Sequence, residues 1–185
     1  EGDLETRRKK TKRNIELLNV ALSDNPHDPY ILYQLGKSYY MEEDYIRACS
    51  FFEQALCYEL DLRLEYVQDM VESYGYALIN SGQYESALTL LNLYEDFGDS
   101  ADFIFLIALI LMNNGQFDAS IKEFLKATKK KECKMYGVND YLAYYNMGVI
   151  YECTHDMKLA KKYYELCGEY EPALERIKQI SPSNT

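Results

Sequence analysis

The chain has 185 residues, with 20 lysines and arginines against 30 aspartates and glutamates, a net charge of −10 at neutral pH. That balance argues against a nucleic-acid binder, which needs a basic face to neutralise phosphates, and 48% apolar residues exclude a mostly disordered chain. Only four prolines and nine glycines interrupt the sequence, so long helices are expected rather than many short strands.

From the N-terminus, residues 1–25 read as a basic helix or half repeat. Residues 1–13 hold six cations (Arg7, Arg8, Lys9, Lys10, Lys12, Arg13) and three acids (Glu1, Asp3, Glu5), a local +3 in a chain that is −13 elsewhere. The plain reading of this run is a solvated helix end or a junction to another domain; a lipid or nucleic-acid patch is the alternative. Four copies of one pattern follow, expected at 29–60, 66–98, 100–130 and 139–172, and a short helix is expected at 173–180. The first copy has Leu35-Gly36, Tyr39, Tyr45, Ala48, Phe52 and Ala55, and the second Tyr74-Gly75, Leu78, Gly82, Tyr84, Ala87 and Leu91. The third has Ile107-Ala108, Leu111, Gly115, Phe117, Ser120, Phe124 and Ala127, and the fourth Met147-Gly148, Tyr151, Met157, Ala160, Tyr164 and Pro172.

These residues resemble the tetratricopeptide repeat (TPR) family. The resemblance implies an all-α fold, a right-handed TPR-type α-α superhelix of antiparallel helix pairs with four repeats and capping helices. The small residue of the first helix (Gly36, Gly75, Ala108, Gly148) and that of the second (Ala48, Ala87, Ser120, Ala160) let two backbones approach. The first-helix anchors recur at intervals of 39, 33 and 40 residues. The two longer intervals imply extra residues after the first and third copies, and Lys129 to Asp140 reads as an inserted loop ending in an N-cap candidate. Pro26 and Pro172 stand where the family stops its second helix. The apolar run from Phe103 to Met112 is half the length of a bilayer span and reads as a buried helix.

More narrowly, the stretches 72–88, 100–117, 137–153 and 163–177 look like the C-terminal TPR region of bacterial family-2 glycosyltransferases. That resemblance implies a catalytic nucleotide-sugar domain upstream of Glu1. The charged opening without an initiator methionine fits a segment of a longer protein. None of the catalytic residues of such enzymes has a counterpart here, and the chain itself is expected not to be an enzyme.

No catalytic, cofactor-binding or metal-ligating constellation is legible. His27 follows Pro26 in a turn, and His155 stands where the second and third copies have Gly82 and Gly115. Cys153 and His155 lack a third ligand or an oriented base, and Cys167 replaces a packed alanine. The acidic pairs Glu42–Glu43 and Glu169 with Glu171 read as solvated. Five cysteines, odd in number and without a C-x-x-C pair, point to reduced thiols and a cytoplasmic location.

Binding is therefore expected on the concave face. The family's concave positions lie three before, one after and four after each small anchor: Tyr33, Lys37 and Tyr40; Glu72, Tyr76 and Ile79; Phe105, Leu109 and Met112; Tyr145, Val149 and Glu152. The lysine and asparagine set that grips a C-terminal carboxylate is absent, so no chaperone-tail clamp is expected. An aromatic, apolar groove of this kind either takes a peptide or protein partner or is filled by its own C-terminal helix, a loop or another copy. The expected function is a non-catalytic interaction or oligomerisation module, with a glycosyltransferase parent or a free-standing peptide-binding adaptor as the two readings. Expected partners are a protein or peptide, including a second copy, with no nucleic acid, cofactor or membrane span.

Overall fold

The structure, a computed structural model, describes residues 4–180; Glu1 and Asp3, part of the expected basic helix, lie outside them. Among the described residues the secondary structure is helical throughout, without a strand. The helices group into two compact units, divided between Leu90 and Leu91.

The first unit opens with α1 (Leu4–Asp24). The turn after it holds Asp28, whose carboxylate accepts from the backbone N–H groups of Tyr30 and Ile31 and so starts α2 (Pro29–Met41). Pro29 occupies a first-turn position where its missing N–H costs nothing. Helix α3 (Tyr45–Leu56) folds back on α2, capped by Asp44. A Cβ at Gly36 would lie 2.6 Å from the Phe52 ring, so glycine is what lets this pair close. Helix α4 (Glu65–Asn80) packs on α3 and α2, and Leu35, Phe52, Met70 and Leu78 are fully enclosed.

The second helix of the second copy is broken. It starts as α5 (Tyr84–Ala87), tightens into a 3₁₀ stretch (Leu88–Leu93), and resumes as α6 (Tyr94–Phe97). The α-helical spacing predicts Leu91 as the buried partner of Ala87. In the structure Leu90 is buried and Leu91 only partly so. Three residues per turn bring i+3, not i+4, onto the same face.

In the second unit, α7 (Ala101–Asn113) is apolar on nearly every side and buried from Ala101 to Ala108, as its composition predicts. It pairs with α8 (Phe117–Ala127), where the Ser120 hydroxyl donates to the Ala108 carbonyl at 2.7 Å. Helix α9 (Tyr141–Cys153) pairs with α10 (Met157–Glu165), and a Cβ at Gly148 would lie 2.5 Å from the Tyr164 ring. Helix α11 (Glu171–Ile180) packs on α10. It begins early enough that Pro172, expected to stop the preceding helix, sits in its first turn.

The loop between α8 and α9 is ordered from within. Asp102, buried near the start of α7, accepts from the backbone N–H groups of Lys134 (2.8 Å) and Met135 (2.7 Å). Val138 is fully buried, and Asn139 donates to the Lys130 carbonyl. Asp140 corrects the expectation of an N-cap: it precedes α9, but its side chain makes no capping bond.

One feature recurs in both units. Glu43, Gly82, Gly115 and His155 all have positive φ, at 61°, 75°, 71° and 63°. Each ends the first helix of its pair, and the next N–H bonds five residues back: Asp44 to Tyr39, Gln83 to Leu78, Gln116 to Leu111, Asp156 to Tyr151. That is a Schellman closure, which needs one left-handed residue.

Candidate functional site

In the first unit the expected concave residues lie on α2 and α4, which pack side by side. Lys37 Nζ donates to Asp69 Oδ2 at 2.8 Å and to the Tyr33 hydroxyl at 3.2 Å, and lies 5.3 Å from the Tyr33 ring centroid. The Tyr33 hydroxyl in turn donates to Asp69. Burial and the bond to Asp69 push the Tyr33 phenol up to about 12. Burial works against the Lys37 charge, but the bonds to Asp69 and Tyr33 outweigh it and raise its pKa. Further along, Asn80 Nδ2 donates to the Tyr40 hydroxyl at 3.2 Å, and burial raises the Tyr40 phenol. Glu72 accepts from Gln68, while Tyr76 and Ile79 are half-buried.

Tyr33 is only 4% exposed, so its ring is part of the wall and its hydroxyl part of the network. Tyr30 and Tyr66 flank it, with ring centroids 5.7 and 5.6 Å from that of Tyr33 and 5.2 Å from each other. Tyr30, Tyr66, Asp69 and Asn80 were not singled out from the sequence. A signal existed: Tyr30 and Asp69 lie one helical turn before Tyr33 and Glu72 on the same stripe, and Tyr66 one turn earlier still.

In the second unit the expected residues divide. Phe105 is a correction: it is 4% exposed and sits in the core with Ala108, Phe124 and Met147, its ring 5.4 Å from that of Phe124. A helix apolar on all sides sends even its groove stripe inward. Leu109 and Met112 are partly buried against the same core. Tyr145, Val149 and Glu152 are met by α11 and the turn before it. Tyr145 packs edge-on to Tyr170 at 5.4 Å, Glu152 pairs with Arg176 at 3.4 Å, and Val149 joins the cluster around Ala173. Glu152 also accepts from the Tyr164 hydroxyl at 2.7 Å.

The residues weighed for chemistry are scattered. His27 is exposed, its Nδ1 3.1 Å from the Tyr58 hydroxyl, and His155 is an exposed turn residue. Cys167 is buried, donates to the Tyr141 and Tyr163 carbonyls, and burial pushes its thiol up to about 12. Among the described residues no three His, Cys, Asp or Glu side chains gather as metal ligands would, and no helix is long and apolar enough to cross a membrane.

A family model described as "Tetratricopeptide repeat" matches residues 101–129 and 141–174, which hold α7–α8 and α9–α10. The comparison with curated proteins found no match. Among solved structures, the chain is similar to YrrB, described as a TPR protein with an unusual peptide-binding site. The TM-score is 0.73 at 22% identity, over 95% of this chain and 88% of that one. It is similar to MamA from Desulfovibrio magneticus RS-1, with a TM-score of 0.70 at 20% identity over 96% and 91% of the two chains. It is also similar to a thermophilic TPR protein from Thermus thermophilus, with a TM-score of 0.60 at 16% identity over 90% and 88%. These likenesses establish the all-α, TPR-type fold, and they lend no support to a glycosyltransferase parent.

Proposed function

We propose that the chain is a non-catalytic module that binds a peptide or protein segment on the α2–α4 face of its first unit. The observation that carries this reading is the cross-linked strip of Tyr33, Lys37 and Asp69, continued by Tyr40 and Asn80 and flanked by Tyr30 and Tyr66. Its side chains are held before any ligand arrives, which lowers the ordering cost of binding. Tyrosine rings supply contact area with few rotatable bonds, and their hydroxyls can exchange partners with a peptide backbone. The α9 positions, engaged by α11, are less available.

The free-standing adaptor fits the comparisons at least as well as the arm of a bacterial glycosyltransferase. The latter reading, like the cytoplasmic location, rests on the sequence alone.

Panning the purified chain against a peptide library and titrating the recovered peptides tests the proposal. Tyr30→Ala with Tyr40→Ala should weaken binding by about tenfold or more, on the order of the cost of losing two aromatic contacts. An undiminished affinity in a folded double variant would remove this face from the account.

A further inference from the structure

Helix α1 carries two seams. Thr11, Ile15, Leu18 and Leu22 form the less exposed one, and from the same side Asn14 Nδ2 donates to the Ser38 hydroxyl of α2 at 2.9 Å. The opposite seam runs through Thr6, Lys10, Arg13, Leu17, Val20 and Asp24, all exposed, in alternating steps of four and three residues. Leu17 is 59% and Val20 63% exposed. That spacing is the one by which two helices pack along a shared seam.

We propose that this seam is self-complementary and pairs two copies of the chain through antiparallel α1 helices. The charges select the register. In antiparallel pairing, Leu17 of one copy meets Val20 of the second, and two-fold symmetry repeats the contact. Arg13 then falls opposite Asp24 of the second copy at both edges of the apolar centre. Neither residue has an ion-pair partner within its own chain among the described residues; of the basic run only Lys9 is paired, to Glu5 at 2.8 Å. Parallel pairing would set Arg13 against Arg13 and Lys10 against Lys10, which like-charge repulsion disfavours. An anionic lipid surface suits the seam less well, because Glu16 and Asp24 border its apolar end and a negative surface would repel them. The contact is short, at the small end of specific interfaces, so the pair assembles as concentration rises rather than as an obligate dimer.

Sedimentation equilibrium of the full chain over a wide concentration range reads the association. The wild type should show a monomer–dimer equilibrium, weakened about tenfold or more in Arg13→Asp, where two attractive pairs become repulsive. Arg13→Asp combined with Asp24→Arg restores the complementarity and should recover most of the loss, which a folding defect would not do. Leu17→Lys with Val20→Lys should leave a folded monomer. A wild type that stays monomeric, a dimer indifferent to Arg13→Asp, or a charge-swapped double variant no better than the single one each overturns the proposal. So does a monomer that instead sediments with vesicles rich in phosphatidylserine.

Discussion

At the scale of single residues, the repeats are written in backbone conformation as much as in packing. Four equivalent turn positions take left-handed φ, yet only two are glycine; Glu43 and His155 hold the same geometry with a Cβ. A left-handed L-residue costs on the order of 1 kcal/mol more than glycine. Glu43→Gly and His155→Gly are therefore each expected to stabilise the chain by about 1 kcal/mol, partly offset by the added freedom of the unfolded chain. The reverse changes, Gly82→Ala and Gly115→Ala, should destabilise by about as much. Thermal melts check both signs, because about 1 kcal/mol moves the midpoint by roughly 2–4 °C in a chain of this size. His155 also illustrates how a residue that attracts a chemical reading is explained by the turn it occupies.

At the scale of elements, the segment inserted after the third copy is the informative one. The loop after α8, Lys129 to Asp140, reads in sequence as an insertion between two copies. Asp102 turns it into a fixed element by accepting two backbone N–H groups. Asp102→Ala should leave those donors unpaired, cost about 1–3 kcal/mol, and open the loop to trypsin between Lys129 and Lys134. Asp99→Ala removes only the exposed ion pair with Lys130. It should change trypsin resistance little, since exposed pairs contribute below about 1 kcal/mol. Limited proteolysis followed by mass analysis separates the two. The 3₁₀ stretch carries a different lesson: a change of helix type moved the buried side chain from Leu91 to Leu90 without any change in composition.

At the scale of the whole molecule, an unusual share of the polar chemistry is phenolic. Tyr33, Tyr40, Tyr74, Tyr94, Tyr151, Tyr164 and Tyr170 all have raised pKa values with burial as the leading cause, and Tyr33, Tyr74, Tyr94 and Tyr164 also donate to carboxylates. The unfolded chain loses these protons near pH 10, while the folded chain keeps them to higher pH. The folded state then binds more protons, so stability is fully present below about pH 10 and falls as pH rises above it. For Tyr33 the window runs from 10 to about 12. Urea unfolding at stepped pH should show this alkaline fall, and Tyr33→Phe should make it shallower across that window. A flat profile would show that the phenols titrate alike in both states.

The helical class, the small anchors Gly36 and Gly148 and the turns at Gly82 and Gly115 were legible in the amino-acid order. Gly36 against Phe52 and Gly148 against Tyr164 are close approaches that only a missing Cβ permits, and that requirement is local enough to read from spacing. The stripe Tyr33, Lys37, Tyr40 was legible for the same reason, because helix periodicity assigns faces. What each face meets was settled by contacts distant in the chain. Asp69 became the partner of Tyr33 and Lys37 from a different helix, 36 and 32 residues away in sequence. Phe105 was drawn into the core because α7 had no polar side to turn outward. Glu152 was occupied by Arg176 because α11 came to lie against it. Periodicity names the side of a helix on which a residue lies; whether that side meets water, a core or another helix depends on contacts distant in the chain, and these set each side chain's exposure and charge.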